Sequence, residues 1–190
     1  MQIPHLDENV KAWIETVSRL AAIIAGLFAI HKGRREVQQN RDQRAQELRW
    51  RQAQSGKELN DEMLDDPPAR AAMDMLDYSF KSYTDKRGNP LEITTAEWTH
   101  GLRTTQLNLS AKDEYVRQCF DNLLYYMGIL EHHISRGLVL FDDVAYPIEY
   151  YVERMVPQAP TLMRYIQTYK FHRSAAFLNR FPEWTAAPRS

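Results

Sequence analysis

The sequence predicts an all-helical protein, and three observations lead to that fold class. Only seven of the 190 residues are glycine, so tight turns are few, and a hydrophobic fraction of 44% is enough for a packed core. No run of alternating apolar and polar residues exceeds four, although such alternation marks strands. One segment repeats its apolar residues every three or four positions, as a helix buried on one face does: Val116, Cys119, Phe120, Leu123, Met127, Leu130 and Ile134.

Composition limits the classes of function. The length allows one domain plus an appendage. A net charge of -1 and a pI near 6.6 provide no overall positive field, so we expect no DNA-specific binding. The single cysteine, Cys119, cannot form a disulfide within the chain, which is typical of a reducing compartment.

The N-terminal region contains the longest apolar run, the eleven residues from Leu20 to Ile30. A helix that crosses a bilayer needs about 20 residues, and extension of the run back to Ala12 gives nineteen. One side of this helix is apolar throughout and consists of Trp13, Val17, Leu20, Ile24, Leu27 and Phe28. We therefore expect an N-terminal segment with a transmembrane helix over residues 1–31. The alternative is a buried core helix of a soluble protein.

The opposite side of the same helix is polar at one end and small at the other. Its two charged residues are four positions apart and can form an ion pair. Small side chains at this spacing let helix backbones approach each other closely. We expect this side to be an oligomer and pore face, made of Glu15, Arg19, Ala22, Gly26 and Ala29.

Basic residues after the apolar run predict its orientation. Seven lysines and arginines lie between residues 32 and 51, whereas Lys11 is the only one before residue 12. The positive-inside rule places the C-terminal side of such a helix in the cytoplasm. We expect a single-pass protein of a bacterial inner membrane, with residues 32–62 as a basic stalk helix and 63–190 as a cytoplasmic helical domain. Its predicted partners are membrane lipid and further copies of itself.

Helix start and stop signals divide the expected cytoplasmic domain. Asp66 and Pro67 begin a helix with a buried face of Ala69, Ala72, Met73, Leu76 and Phe80. A loop follows at 86–90, and a short helix is expected over 94–106 with Trp98 and Leu102 facing inward. Ser110 and Asp113 form a capping box for the strongest helix, which Gly137 ends. Asp142 and Asp143 start the next helix, Pro157 and Pro160 break it, and one helical stretch is expected over 161–179.

Catalytic and metal-binding patterns are weak throughout the sequence. His132 and His133 are adjacent, so on a helix they point about 100° apart and cannot both bind one ion. No paired cysteines or Glu-x-x-His motif accompany them, and Cys119 lies on an apolar helix face. Helical ribonucleases of the HEPN type carry an arginine followed four to six residues later by histidine, whereas Arg164 and His172 are separated by seven residues. We expect no enzyme activity, no cofactor and no metal.

A mixture of cations and aromatic rings near the C-terminus suggests a ligand surface instead. Such side chains stack on bases and pair with phosphates. The candidates are His133, Arg136, Tyr165, Tyr169, Lys170, His172 and Arg173. The alternative interpretation is that the tyrosines pack in the core while the cations cover the surface.

Several sequence blocks resemble a widespread, uncharacterised bacterial family with one N-terminal membrane helix, a basic stalk and a helical cytoplasmic domain. The blocks include Glu47–Arg51, Met75–Tyr78, Val116–Leu124, Glu131–Leu138 and Phe177–Arg180. The resemblance spans nearly the whole chain but brings no catalytic motif. In architecture the chain is also similar to small membrane effectors of anti-phage defence systems, such as the pore-forming accessory protein of type VI-B CRISPR loci.

Three functional hypotheses follow from the sequence. The first is an oligomeric membrane effector that forms a pore or leak, is controlled by its cytoplasmic domain through a protein or nucleotide signal, and acts in anti-phage defence. The second is a non-catalytic interaction module whose apolar N-terminal helix docks on a partner protein or anchors the chain to a membrane. The third is a nucleic-acid enzyme that uses His132, His133 or His172.

Overall fold

Helices make up most of the chain in the computed structural model, as the sequence predicts. The structure describes residues 8–84, 88–105 and 108–187, except for the side chains of 8–12, 14–16, 20–27, 29 and 30. The chain divides into two compact units, Met1–Arg49 and Trp50–Ser190. The helices are α1 (Glu8–Asp65), α2 (Pro67–Asp77), α3 (Thr95–Gly101), α4 (Ala111–Ser135), α5 (Phe141–Met155), α6 (Ala159–Thr168), α7 (His172–Leu178) and α8 (Pro182–Ala186). A short 3-10 turn at Val156–Gln158 joins α5 to α6.

Helix α4 is central to the second unit. It packs against α2, α3 and α7, while α5 packs against α2 and α8. Six members of its predicted apolar face are fully buried and Ile134 is half-buried. The inward positions expected for the short helix are also confirmed, because Trp98 and Leu102 are buried and Trp98 stacks on Phe120.

The capping signals in the sequence correctly place three helix ends. Asp66 accepts a hydrogen bond from the amide of Ala69 at 2.8 Å and begins α2. Ser110 and Asp113 form the expected capping box of α4. Gly137 follows the end of α4 with a φ of +68°, a conformation that glycine adopts without strain. Short-range capping hydrogen bonds therefore explain where these helices start and stop.

Helix α1 changes its environment along its length. Every side chain from His31 to Arg49 is exposed. From Trp50 onward the helix belongs to the second compact unit, and Gln52, Asn60 and Met63 are buried there. Gln52 donates a hydrogen bond to the carbonyl of Gly137 at 2.8 Å. Residues 50–62, which the sequence grouped with the stalk, therefore pack within the compact unit.

A two-stranded antiparallel hairpin corrects the expectation that strands are absent. β1 (Phe80–Thr84) pairs with β2 (Pro90–Thr94), and Tyr83 lies opposite Leu91. Phe80, predicted on the buried face of the preceding helix, is an exposed residue of β1 instead. β2 is only five residues long, and Leu91 and Ile93 are its buried residues. So short an alternation does not predict a strand, and packing of the hairpin against the helices stabilises it.

The C-terminal helical stretch is also divided differently from the prediction. The single helix expected over 161–179 is two helices, α6 and α7, separated by a turn at Lys170 with a φ of +61°. Pro157 and Pro160 fall at the predicted break, while α8 had no clear signal in the sequence. The turn sets the position of Lys170, His172 and Arg173, which the sequence predicts to bind a ligand.

Candidate functional site

The predicted oligomer and pore face belongs to the N-terminal part of α1. The backbone there is helical from Glu8 onward. The side chains of Glu15, Ala22, Gly26 and Ala29 lie outside the described residues, whereas Arg19 is described and exposed. Within the described part of the chain, no helix combines the length and the apolar character needed to cross a bilayer.

Three described side chains of the predicted apolar stripe are strongly exposed. Trp13, Val17 and Phe28 have exposed fractions of 72%, 44% and 74%. At 100° per residue they fall within roughly 60° of one another around the helix axis. These three side chains are therefore exposed apolar groups on one side of α1.

Four of the seven predicted ligand residues line a groove in the second unit, which we call the basic groove. It lies between residues 124–133 of α4 and residues 170–174, at the α6–α7 turn and the start of α7, and has a volume of about 600 Å³. Four predicted residues line it: His133, Lys170, His172 and Arg173. His132 lines it as well; the sequence analysis considered this histidine as a metal ligand and in the nucleic-acid enzyme hypothesis, but not as part of the ligand surface.

Close packing of α7 on α4 forms the floor of the basic groove. Gly128 faces α7, and a Cβ at this position would lie 3.4 Å from the Ser174 hydroxyl oxygen and 3.6 Å from the Arg173 Cβ. The Ser174 hydroxyl donates a hydrogen bond to the carbonyl of Leu124. Gly128 therefore lies at the contact between α4 and α7, with room for no more than a small side chain.

Positive charge is concentrated around this groove. Loss of water contacts lowers the pKa of His132, and the charges of Arg173 and Arg136 lower it further. Glu131, the nearest acid along α4, accepts hydrogen bonds from Arg180 at 2.6 and 2.8 Å. Among the described residues, none that lines the groove is an aspartate or glutamate. The groove therefore favours an anion.

The tautomer of one groove histidine is set by its own helix. His133 Nδ1 lies 2.9 Å from the carbonyl oxygen of Ile129. A carbonyl oxygen only accepts, so Nδ1 carries the proton and the ring is held in a fixed orientation. His132 packs edge-on against it, with the ring centroids 5.8 Å apart.

The two predicted tyrosines belong to a separate network. Tyr165 is buried and donates a hydrogen bond to Asp121 at 2.7 Å. Tyr169 accepts one from Arg117 at 2.8 Å, and the Arg117 guanidinium lies over both tyrosine rings. These tyrosines therefore stabilise the contact between α4 and α6 and do not line the basic groove.

Arg117 is a residue that the sequence analysis missed. Besides Tyr169, it donates hydrogen bonds to the carbonyls of Gly101 and Arg103, at 2.8 and 2.7 Å. Arg136, which was predicted in the ligand surface, is the C-cap of α4 and acts on the groove through its charge. Arg117 has no local sequence signal, because its hydrogen bonds join residues 14 to 52 positions away in the chain.

The remaining chemical candidates are dispersed. Burial raises the pKa of the Cys119 thiol to about 12, so it is a core residue and not a nucleophile. Among the described residues, no three potential metal ligands come together. Arg164 lines a small cleft of about 120 Å³, whereas His172 lines the basic groove.

Comparison of the chain with protein families, with curated proteins and with solved structures gives no match in any of the three. Its functional assignment therefore depends on the residues and contacts described above.

Proposed function

We propose that this chain is a non-enzymatic membrane effector, attached through the N-terminal part of α1, with residues 50–187 on the cytoplasmic side. The change of character along α1 supports this proposal most. The apolar run from Leu20 to Ile30 continues directly into the exposed residues 31–49, which contain six lysines and arginines. Anionic headgroups attract such a segment next to a bilayer, at about 1 kcal/mol for each Lys or Arg near the surface.

The exposed stripe on α1 provides a second argument. Trp13 and Phe28 are about three-quarters exposed, and tryptophan is enriched where a membrane meets water. The apolar side chains fit the acyl region of an anionic bilayer, and the basic segment next to them fits its headgroups. A partner protein with a matching apolar groove is the alternative occupant of this stripe.

The finer part of the proposal is self-association. Small residues at positions 22, 26 and 29 give one side of α1 the spacing that lets helices in a membrane approach closely. Copies that meet through this side line a leak once a protein or nucleotide signal changes the packing of the helical unit. The similarity in architecture to small anti-phage membrane effectors supports the same class of action.

Alkaline carbonate extraction of membranes from cells that express the intact chain tests the attachment. We expect the chain to stay in the membrane pellet. Ile24→Glu combined with Phe28→Glu moves it to the supernatant, because a charge in the apolar segment costs about 2.5–3.5 kcal/mol. Val37→Glu, the same change at an exposed position beyond the run, leaves it in the pellet. Release of the unaltered chain by carbonate would overturn attachment and favour docking on a partner.

Sizing of the detergent-extracted chain, together with dye release from vesicles, tests self-association. We expect a defined multimer that loses both its size and its leak when Ala22→Leu and Gly26→Leu are combined. Ile24→Leu, an apolar exchange on the other side of the helix, leaves both unchanged. Full leak in the double variant would contradict a pore lined through the small face.

A further inference from the structure

We propose that the basic groove between α4 and α7 binds a free nucleotide, with the base against the aromatic side chains and the phosphates against Lys170 and Arg173. The inference depends on this groove alone and not on attachment to a membrane. A volume of about 600 Å³ lies in the ordinary range of small-molecule pockets.

The charges at the groove favour phosphate. Lys170 and Arg173 are exposed residues of its lining, and the imidazole rings of His132 and His172 lie in the same lining. Glu131, the nearest acid along α4, is already paired with Arg180. Arginine binds phosphate through two parallel hydrogen bonds and lysine acts as a point charge, so together they suit a polyphosphate chain.

The rings at the groove favour an aromatic base. Tyr125 and Phe171 line it along with the histidines, and Tyr125 is 61% exposed. An aromatic side chain that stays exposed beside a groove offers a face on which a base stacks, and such stacking is tolerant of sequence. Inorganic phosphate uses only the cations, whereas a nucleotide uses both groups of side chains.

The backbone at Lys170 gives an independent reason to assign this residue to binding. It is the only non-glycine residue in the described part of the chain with a positive φ, +61°, in a conformation that L-residues seldom adopt. Glycine would fit this turn with less strain, yet the position carries a long cation that lines the groove. Backbone strain of this kind is concentrated at ligand sites.

Binding to the full-length chain in mild detergent at about 0.15 M salt tests the proposal. The probes are the four ribonucleoside triphosphates, their monophosphates, tripolyphosphate and adenosine. We expect saturable binding of at least one nucleotide, at least about tenfold tighter than tripolyphosphate or adenosine. Arg173→Gln and Lys170→Gly each weaken it by about tenfold, and Tyr125→Ala by about fivefold or more.

Arg154→Gln is the matched control, since it removes one positive charge from α5 outside the groove lining. It should change affinity by less than about twofold, because Arg154 does not line the groove and instead donates a hydrogen bond to Tyr150. The proposal is overturned if no nucleotide binds saturably, if tripolyphosphate binds as tightly as the nucleotides, or if Lys170→Gly and Arg173→Gln bind like the unaltered chain. Tighter binding of single-stranded RNA than of any mononucleotide, lost in the same variants, would also overturn it in favour of a polymer site.

Discussion

At the residue scale, the left-handed backbone of Lys170, with a φ of +61°, has a consequence for stability that can be measured apart from the proposed binding. A left-handed residue with a side chain is less stable than glycine by about 1–2 kcal/mol, partly offset by the greater entropy of glycine in the unfolded chain. We expect Lys170→Gly to raise the free energy of unfolding by about 0.5–1 kcal/mol in urea denaturation.

Lys57→Gly is the comparison for this change. Lys57 lies within helix α1 and pairs with Asp61, so glycine there lowers the free energy of unfolding by about 1 kcal/mol. A loss of stability in Lys170→Gly equal to that in Lys57→Gly would contradict the strain at Lys170.

Asp121 is a second residue with a measurable consequence. Burial raises its pKa above the ordinary value of 3.8, although the hydrogen bond from Tyr165 and the charge of Arg117 oppose the rise. At pH values between 3.8 and the raised pKa of Asp121, the folded chain binds more protons than the unfolded chain. The contribution of Asp121 to stability is therefore present below pH 3.8 and is lost as the pH rises through its folded pKa.

Denaturation at several pH values measures this effect against Asp121→Asn, which does not titrate. The unfolding free energy of the unaltered chain minus that of the variant should fall as the pH rises from about 4 to about 7. A difference that is flat or rises with pH would show that the pKa of Asp121 is not raised.

At the element scale, Gly33 and Gly56 of α1 have opposite surroundings. A Cβ at Gly56 would lie 3.2 Å from methyl groups of both Val139 and Val144, whereas nothing lies within 4 Å of Gly33. We expect Gly56→Leu to lower the free energy of unfolding by about 1–3 kcal/mol through overpacking. Gly33→Leu should instead leave it unchanged or increase helicity in circular dichroism. Equal thermal midpoints for the two variants would contradict the packing of α1 at Gly56.

The same scale shows which elements are predictable from sequence. Helix ends at Asp66, Ser110 and Gly137 depend on hydrogen bonds within a few residues, so local sequence was sufficient to place them. The hairpin was missed because its two five-residue strands owe their stability to distant packing. The turn at Lys170 was missed because lysine gives no signal for a positive φ.

The residues of the candidate site likewise divide into those that residue type indicates and those that depend on distant packing. Sequence identified His133, Lys170, His172 and Arg173 from their chemistry, and the structure brings them to one groove. The residues predicted from the sequence also included Tyr169, which instead accepts a hydrogen bond from Arg117, 52 positions away in the chain. Residue type indicates what a side chain can bind, whereas the packing of α7 on α4 determines which side chains line the same groove.

At the scale of the whole molecule, the two units differ in accessibility to proteases. Residues 31–49 include five arginines and are exposed throughout, whereas the core lies after residue 50. Limited trypsin digestion should cut first between Arg34 and Arg51 and leave a C-terminal fragment that resists further cleavage. Mass spectrometry identifies the sites, and first cleavage within α2 to α7 would contradict this division.

The exposure of residues 31–49 also determines how that part of α1 holds its shape. Its side chains make only local contacts there, such as Gln38 with Asp42 at 3.5 Å and Lys32 with Glu36 at 4.0 Å. A helix without tertiary packing opens and closes easily in water. Its amide protons should therefore exchange with deuterium orders of magnitude faster than those of α4. Residues 31–49 and α4 thus have the same hydrogen-bond pattern but differ in how long those hydrogen bonds stay closed. A membrane or protein surface that binds residues 31–49 would be detected as slower exchange there.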